Sequence, residues 1–193
     1  MDKVILCEGK NDVILLSRIH EECNGDYEYD QFINQEAELN QSVRLTHHQT
    51  GDQFEYLYKG EGGRSKVISI FVREVVNLCN LDFEIFLFVD LDGEPLSVFE
   101  AELGEKLVET HGNRVKVDFG PVRPESGLLI VPCEVLIRDS VVEEFDLLAY
   151  DESLEDITGI YDGEDISNKI SKINNYISTN QNHIELISET IFS

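Results

Sequence analysis

The chain has 193 residues, 41% of them hydrophobic, and a formal net charge of −24. That length suits one α/β domain with elaborations, or a domain with a small cap, and the apolar fraction is enough to fill a sizeable core. No run of about eighteen apolar residues occurs, so no transmembrane helix is expected, and so acidic a surface repels phosphate backbones at moderate salt.

In chain order, Lys3-Val4-Ile5-Leu6-Cys7 is a short apolar run of the kind that makes a buried parallel strand. It turns at Glu8-Gly9-Lys10, and Asn11 is placed to cap a helix running to about Cys23, with Val13, Ile14, Leu16 and Ile19 inward. Residues 24–53 are polar and read as an irregular excursion, with a short helix near Gln35–Leu45. Phe54–Tyr58 is strand-like and is followed by Lys59-Gly60-Glu61-Gly62-Gly63-Arg64. A helix over Ser65–Cys79 buries Val67, Ile68, Phe71, Val75 and Leu78. Phe83–Val89 is the strongest strand and ends in Asp90-Leu91-Asp92-Gly93, with Pro95 suited to the first turn of the next helix. Val115–Phe119 and Gly127–Pro132 supply two further strands.

From Asp139 to Asp165 there are eleven acidic residues and no basic one, and this stretch reads as short helices and loops. Isoleucines at 166, 170, 173 and 177, then 184, 187 and 191, form one face of a long helix, or of two helices broken near Thr179–Asn182. That face either packs on the protein's own sheet or forms a dimer seam, so monomer and homodimer both stand open. Strands alternating with helices predict a three-layer α/β sandwich with a mostly parallel sheet. The expected division is an α/β domain over 1–138, carrying the polar excursion, and an acidic, helical C-terminal extension over 139–193 packed on it.

The four cysteines, Cys7, Cys23, Cys79 and Cys133, form no CxxC pair, which points to free buried thiols in a reducing compartment. His47-His48 has no close Cys or His to complete a zinc set and reads as polar loop. Met1-Asp2-Lys3 leads straight into the first strand without the apolar stretch of a secretory signal, so the expected location is cytoplasmic. A salt-rich cytoplasm is one physical explanation for the charge, because ions screen dense carboxylates.

In doubly wound α/β folds, the loops leaving the carboxyl ends of the strands form the binding crevice. Asp90 and Asp92 stand two apart at a strand end, so their carboxylates leave the same side and repel each other unless a cation or proton lies between them. Mg²⁺ or Mn²⁺ fits, since these ions take a few carboxylates plus waters. The alternative is an ordinary strand-to-helix turn in which Asp92 caps the helix, and both readings stand open. Glu8 has little structural purpose at a strand end, and Gly9 beside it allows close approach by a ligand. Asp12 either joins the metal site or complements the helix dipole. Gly60, Gly62 and Gly63 before a helix offer N–H groups to an anion, with Lys59, Arg64 and Lys66 nearby. The loop is no Walker A motif, for it lacks the Gly-Lys-Ser/Thr.

"VILCEGKNDVILL", followed about eighty residues later by "FEIFLFVDLDG", resembles the Toprim domain of type IA and type II topoisomerases, bacterial primases, ribosomal-RNA maturases and OLD-family nucleases. The resemblance implies a compact Rossmann-like sheet, with Glu8 as general acid/base or metal ligand and Asp90 and Asp92 as metal ligands. The small stand-alone and OLD-type members further imply Asp12 as a ligand. They also imply a downstream Ser-x-Glu element, matched by Ser153-Leu154-Glu155, with Glu155 as ligand. The resemblance covers about residues 3–133, and no topoisomerase tyrosine can be assigned.

The expected function is Mg²⁺- or Mn²⁺-dependent phosphoryl transfer on DNA or RNA by a Toprim-type nuclease. Glu8 and Lys10 would handle protons and charge, while Lys59, Gly62, Gly63, Arg64 and Lys66 would hold the phosphate backbone. Two alternatives come from other classes. One is a non-catalytic module whose acidic surface meets a basic protein, and the other is an enzyme acting on a small phosphorylated or nucleotide substrate, which suits −24 better than long DNA does.

Overall fold

A computed structural model of the chain describes residues 3–24, 29–33, 56–80, 83–125, 127–161 and 163–192. Among them are eight strands: β1 (Lys3–Cys7), β2 (Tyr29–Ile33), β3 (Tyr56–Gly60), β4 (Glu84–Asp90), β5 (Val115–Phe119), β6 (Arg123–Glu125), β7 (Leu128–Ile137) and β8 (Ser140–Tyr150). The α-helices are α1 (Lys10–Asn24), α2 (Arg64–Asn80), α3 (Leu96–His111), α4 (Leu154–Thr158), α5 (Ile166–Thr179) and α6 (Gln181–Ile191). The sheet order is β2-β3-β1-β4-β8-β7-β5, with β6 also paired to β7. The first five strands in that order are parallel, while β7 runs antiparallel to β8, β5 and β6. The chain is therefore an α/β protein with a mostly parallel mixed sheet.

Every residue of β1 is buried, because helices cover both faces of the sheet's centre. Alternation then splits the core in two. Val4, Leu6, Ile85, Leu87, Leu147 and Ala149 meet Val67, Phe71 and Val75 of α2 and Phe99 and Leu103 of α3. Ile5, Cys7, Phe86, Phe88, Leu148 and Tyr150 meet α1, Leu154 of α4, and the isoleucines of α5 and α6. The isoleucine stripe breaks into two helices at Asn180, and Ile173, Ile177, Ile184, Ile187 and Ile191 are buried against their own sheet.

Three sequence expectations need correction or comment. The acidic segment after Asp139 begins with an eleven-residue strand, β8, lying between β4 and β7. Position 138 consequently falls inside the β7–β8 hairpin. Its two-residue turn, Arg138-Asp139, has φ of 53° and 62°. That left-handed pair matches the right-handed twist of the flanking strands, although the usual Asn-Gly signal is absent. Within the polar excursion, Tyr29–Ile33 pairs in parallel with β3, while the helix expected near Gln35–Leu45 and His47-His48 lie outside the described residues. No described helix is long and apolar enough to cross a membrane.

Because β8 is internal, a chain ending at Arg138 loses the strand that joins β4 to β7. We expect this truncation to show no cooperative thermal transition by circular dichroism, whereas the full chain shows one. A cooperative transition in the truncated chain would support 1–138 as an independent unit.

Candidate functional site

The carboxyl ends of β1, β3, β4 and β8 lie at one edge of the sheet. The register Cys7↔Phe88 places Glu8 directly beside the end of β4. There Glu8 Oε1 accepts the Asp90 N–H at 3.0 Å, and the backbone N–H of Arg64 also reaches this carboxylate. Burial pushes the Glu8 carboxyl up to about 7, and the nearby Asp92 charge adds to this, against the two N–H groups and the Arg64 guanidinium. Gly60 permits the crowding of strand ends: a Cβ there would stand 3.0 Å from the Gly9 carbonyl oxygen.

Asp90 sits on the opposite side of the sheet from Glu8, in line with Phe86 and Phe88. Its Oδ2 accepts the Leu154 N–H at 2.9 Å, and its Oδ1 is buried with no hydrogen-bond partner among the described residues. Burial lifts this carboxyl to about 7 as well, with Glu8, Glu155 and Asp92 raising it further against the Leu154 N–H. Asp12, in the first turn of α1, is buried and accepts the Gly9 N–H at 2.7 Å. Its carboxyl is held well above the usual range by burial, then by Asp90, Glu8 and Glu155. Glu155, in α4, accepts from the Asn11 amide, whose oxygen accepts from Lys169 Nζ at 3.3 Å. Asp92 is exposed, with φ of 53°, a region Asp tolerates better than most residues. It does not cap α3, whose N-cap is Pro95 with no side-chain cap bond. Glu8, Asp12, Asp90, Asp92 and Glu155 thus lie close enough at this edge of the sheet for their charges to act on one another.

The expected phosphate cradle is different. The N–H groups of Gly62 and Gly63 are donated to the Glu8 carbonyl at 2.6 and 2.7 Å, so the glycine loop closes on the protein itself rather than on an anion. Lys59 is only 1% exposed and ion-paired with Glu61 at 3.1 Å, because its place on β3 points it into the interior. Arg64 lies close to Glu8 but is tied to Glu94 at 2.5 Å and Glu102 at 3.4 Å. Lys10 and Lys66 are exposed cations near this edge. Asn11 was expected as a helix cap. Instead α1 starts one residue earlier, and the Asn11 side chain links Glu155 to Lys169. No local sequence signal marks that link, since its partners lie 144 and 158 residues away.

Whether these residues suit a divalent cation turns on Asp90 Oδ1, a buried carboxylate oxygen with no donor. Its neighbours are other carboxylates, which is the donor set hard cations take. Among the described residues, no group of three or more His, Cys, Asp or Glu side chains is placed so that it could hold a metal ion. Mg²⁺ does not demand one, because it keeps several waters and commonly takes one or two carboxylates. As placed, Asp90 and its neighbours could offer such an ion one or two carboxylates, with waters completing its shell.

No family model matches the chain, and no curated protein matches it. Among solved structures it is similar to a de novo designed protein of P-loop NTPase fold. The identity is 14%, the coverage 94% of each chain and the TM-score 0.36.

Glu8 and Asp90 ionise near 7 in the fold, and near 4 in the unfolded chain. Between those values the unfolded state releases protons that the folded state keeps. In the absence of divalent ions, stability must therefore fall as pH rises from about 4 through about 7, and level off above. We expect Asp90→Asn to lose less stability than wild type between pH 5 and 7.5, by on the order of 2 kcal/mol. The check is chemical denaturation in EDTA at fixed ionic strength, and parallel pH profiles would contradict the burial assigned to Asp90.

Proposed function

We propose that the cluster of acidic residues at this sheet edge is a divalent-metal phosphoryl-transfer site of Toprim type, and that the protein is a Mg²⁺- or Mn²⁺-dependent nuclease. One observation carries this reading: the buried, unpartnered Asp90 Oδ1 lies among Glu8, Asp12, Asp92 and Glu155. Evolution has little reason to bury Asp12 and Asp90 beside further carboxylates unless a cation or a proton offsets the cost. Asp90 and Asp92 would hold the ion, with Glu8, Asp12 and Glu155 completing its surroundings. When bound, the ion supplies Lewis-acid stabilisation of phosphoryl charge and lowers the pKa of water.

The protein's own residues supply the remainder. The Asp90 N–H fixes the Glu8 carboxylate, whose ionisation near 7 suits it to take or give a proton. Lys10 and Lys66 are the exposed cations that would meet substrate phosphates. Arg64, held by Glu94 and Glu102, would contribute charge beside Glu8 rather than grip a backbone.

A second reading is favoured by one specific observation, the loss of the cradle. With Lys59 buried and the Gly62 and Gly63 N–H groups spent, the positive surface that the expected cradle leaves for a long phosphate backbone shrinks, among the described residues, to Lys10 and Lys66. The same carboxylate site acting on a small phosphorylated or nucleotide substrate requires no such surface.

The test is cleavage of labelled single- and double-stranded DNA and RNA with Mg²⁺ or Mn²⁺, at low and molar salt, alongside small phosphoesters. We expect Glu8→Gln to lower turnover by on the order of a hundred-fold or more while substrate binding stays nearly unchanged. Lys10→Ala with Lys66→Ala should weaken binding and flatten its salt dependence. Hydrolysis of small phosphoesters alone would move the substrate class to the second reading. No metal-dependent hydrolysis of any of these would overturn both.

A further inference from the structure

A different part of the sheet carries a feature that the site proposed above does not use. On the face that α1, α5 and α6 cover further along, no described helix covers the start of β4 and the facing parts of β8, β7 and β5. The register there sets like charges side by side. Glu144 pairs with Glu134 and Glu134 with Asp118, while Glu84 precedes the Ile85↔Phe145 pair and so lies next to Glu144. Four carboxylates therefore form one row across four strands. Directly opposed like charges destabilise a sheet. Lys3 pairs with Glu84 at 3.2 Å, but Asp118, Glu134 and Glu144 have no ion pair among the described residues.

Independently of that charge, the surface is concave. A cavity of about 490 Å³ opens over the row, walled by Phe86, Phe119, Pro121 and Pro132, with Asp146 in its lining. This volume falls within the range of small-ligand sites. The wall is built by a bend that glycine alone permits: Gly120 donates its N–H to the Pro132 carbonyl at 2.7 Å, and a Cβ at 120 would stand 2.8 Å from that oxygen. Residue 132 tolerates proline in an internal strand because its N and O face the break between β5 and β6, where no ladder bond is missed.

From this cavity we infer a binding site for a linear aliphatic polyamine. Neighbouring strands are about 4.8 Å apart, so the row spreads its charge over a length that a single metal ion's shell does not span. Amines separated by three or four methylene groups repeat on about the strand spacing, and each would face a carboxylate of the row. The methylene links would lie on Phe119, Pro121 and Pro132, as the stems of long cationic side chains lie on apolar surface.

The test is calorimetric titration of the full chain with spermidine and with spermine at about 0.15 M salt. The comparison is between Glu134→Gln/Glu144→Gln and a control of equal charge, Glu105→Gln/Glu109→Gln on α3. We expect one saturable site that weakens about ten-fold or more in the row variant and stays within about two-fold of wild type in the control. Without ligand, the row variant should melt at a higher temperature than wild type, because it relieves the cross-strand repulsion, so failure to fold cannot mimic lost binding. Equal weakening in both variants would reduce the effect to general attraction by an acidic protein and overturn the proposal. So would tight binding of an arginine-rich peptide with none of spermidine, which would make the face a protein-docking surface.

Discussion

The parallel register between β1 and β4 is the constraint on which the candidate site depends. It sets Cys7 opposite Phe88, so that the residue after β1 meets the last residue of β4. Glu8 then bonds the Asp90 N–H from one side of the sheet, while the Asp90 side chain turns to the other and takes the Leu154 N–H. A slip of one residue would reverse the faces and send one carboxylate into the α2 core or the other away from α4. Burial and proximity together then raise both carboxyls to about 7. The raised carboxyls follow from sheet geometry, and that geometry in turn follows from two runs of apolar residues.

Much of this was legible in the sequence, for a physical reason. Strands buried on both faces read as continuous apolar runs, so β1 and β4 stood out, and the residues ending them were the acidic ones. The helices α1 and α2 were equally plain from their periodicity. β8 was not legible. It runs from a solvated hairpin into the middle of the sheet, so its first half is exposed and acidic while Phe145, Leu147 and Ala149 pack inward only in the second half. Glu143, Glu144 and Asp146 hide that period, and the turn before it uses Arg138-Asp139 in place of a glycine. Missing β8 meant missing the fourth loop at the site, the one that presents Leu154 and Glu155. Glu155 entered the candidate list through a family resemblance alone. The register that brings it to Asn11 is a tertiary fact.

The misreading of the glycine loop has a similar cause. Glycines before a helix look the same whether their N–H groups wait for an anion or close on the chain. Here the Glu8 carbonyl takes both Gly62 and Gly63, which stiffens the turn carrying Glu8 at the expense of anion binding. Lys59 likewise sits among residues of strand character, and its neighbour Glu61 allows it to be buried. What remains positive at this edge is sparse. The site thus concentrates negative charge in a protein already at −24, an arrangement whose cost the proposed cation would offset.

Direct observation of that cation tests the account at its centre. Crystals equilibrated with Mn²⁺ at pH 8, where Glu8 and Asp90 are ionised, should give an anomalous difference peak within coordination distance of Asp90 Oδ1, and Asp90→Asn with Asp92→Asn should abolish it. Saturating Mn²⁺ that leaves Asp90 Oδ1 without a peak, with manganese confined to other surface carboxylates, would contradict the account.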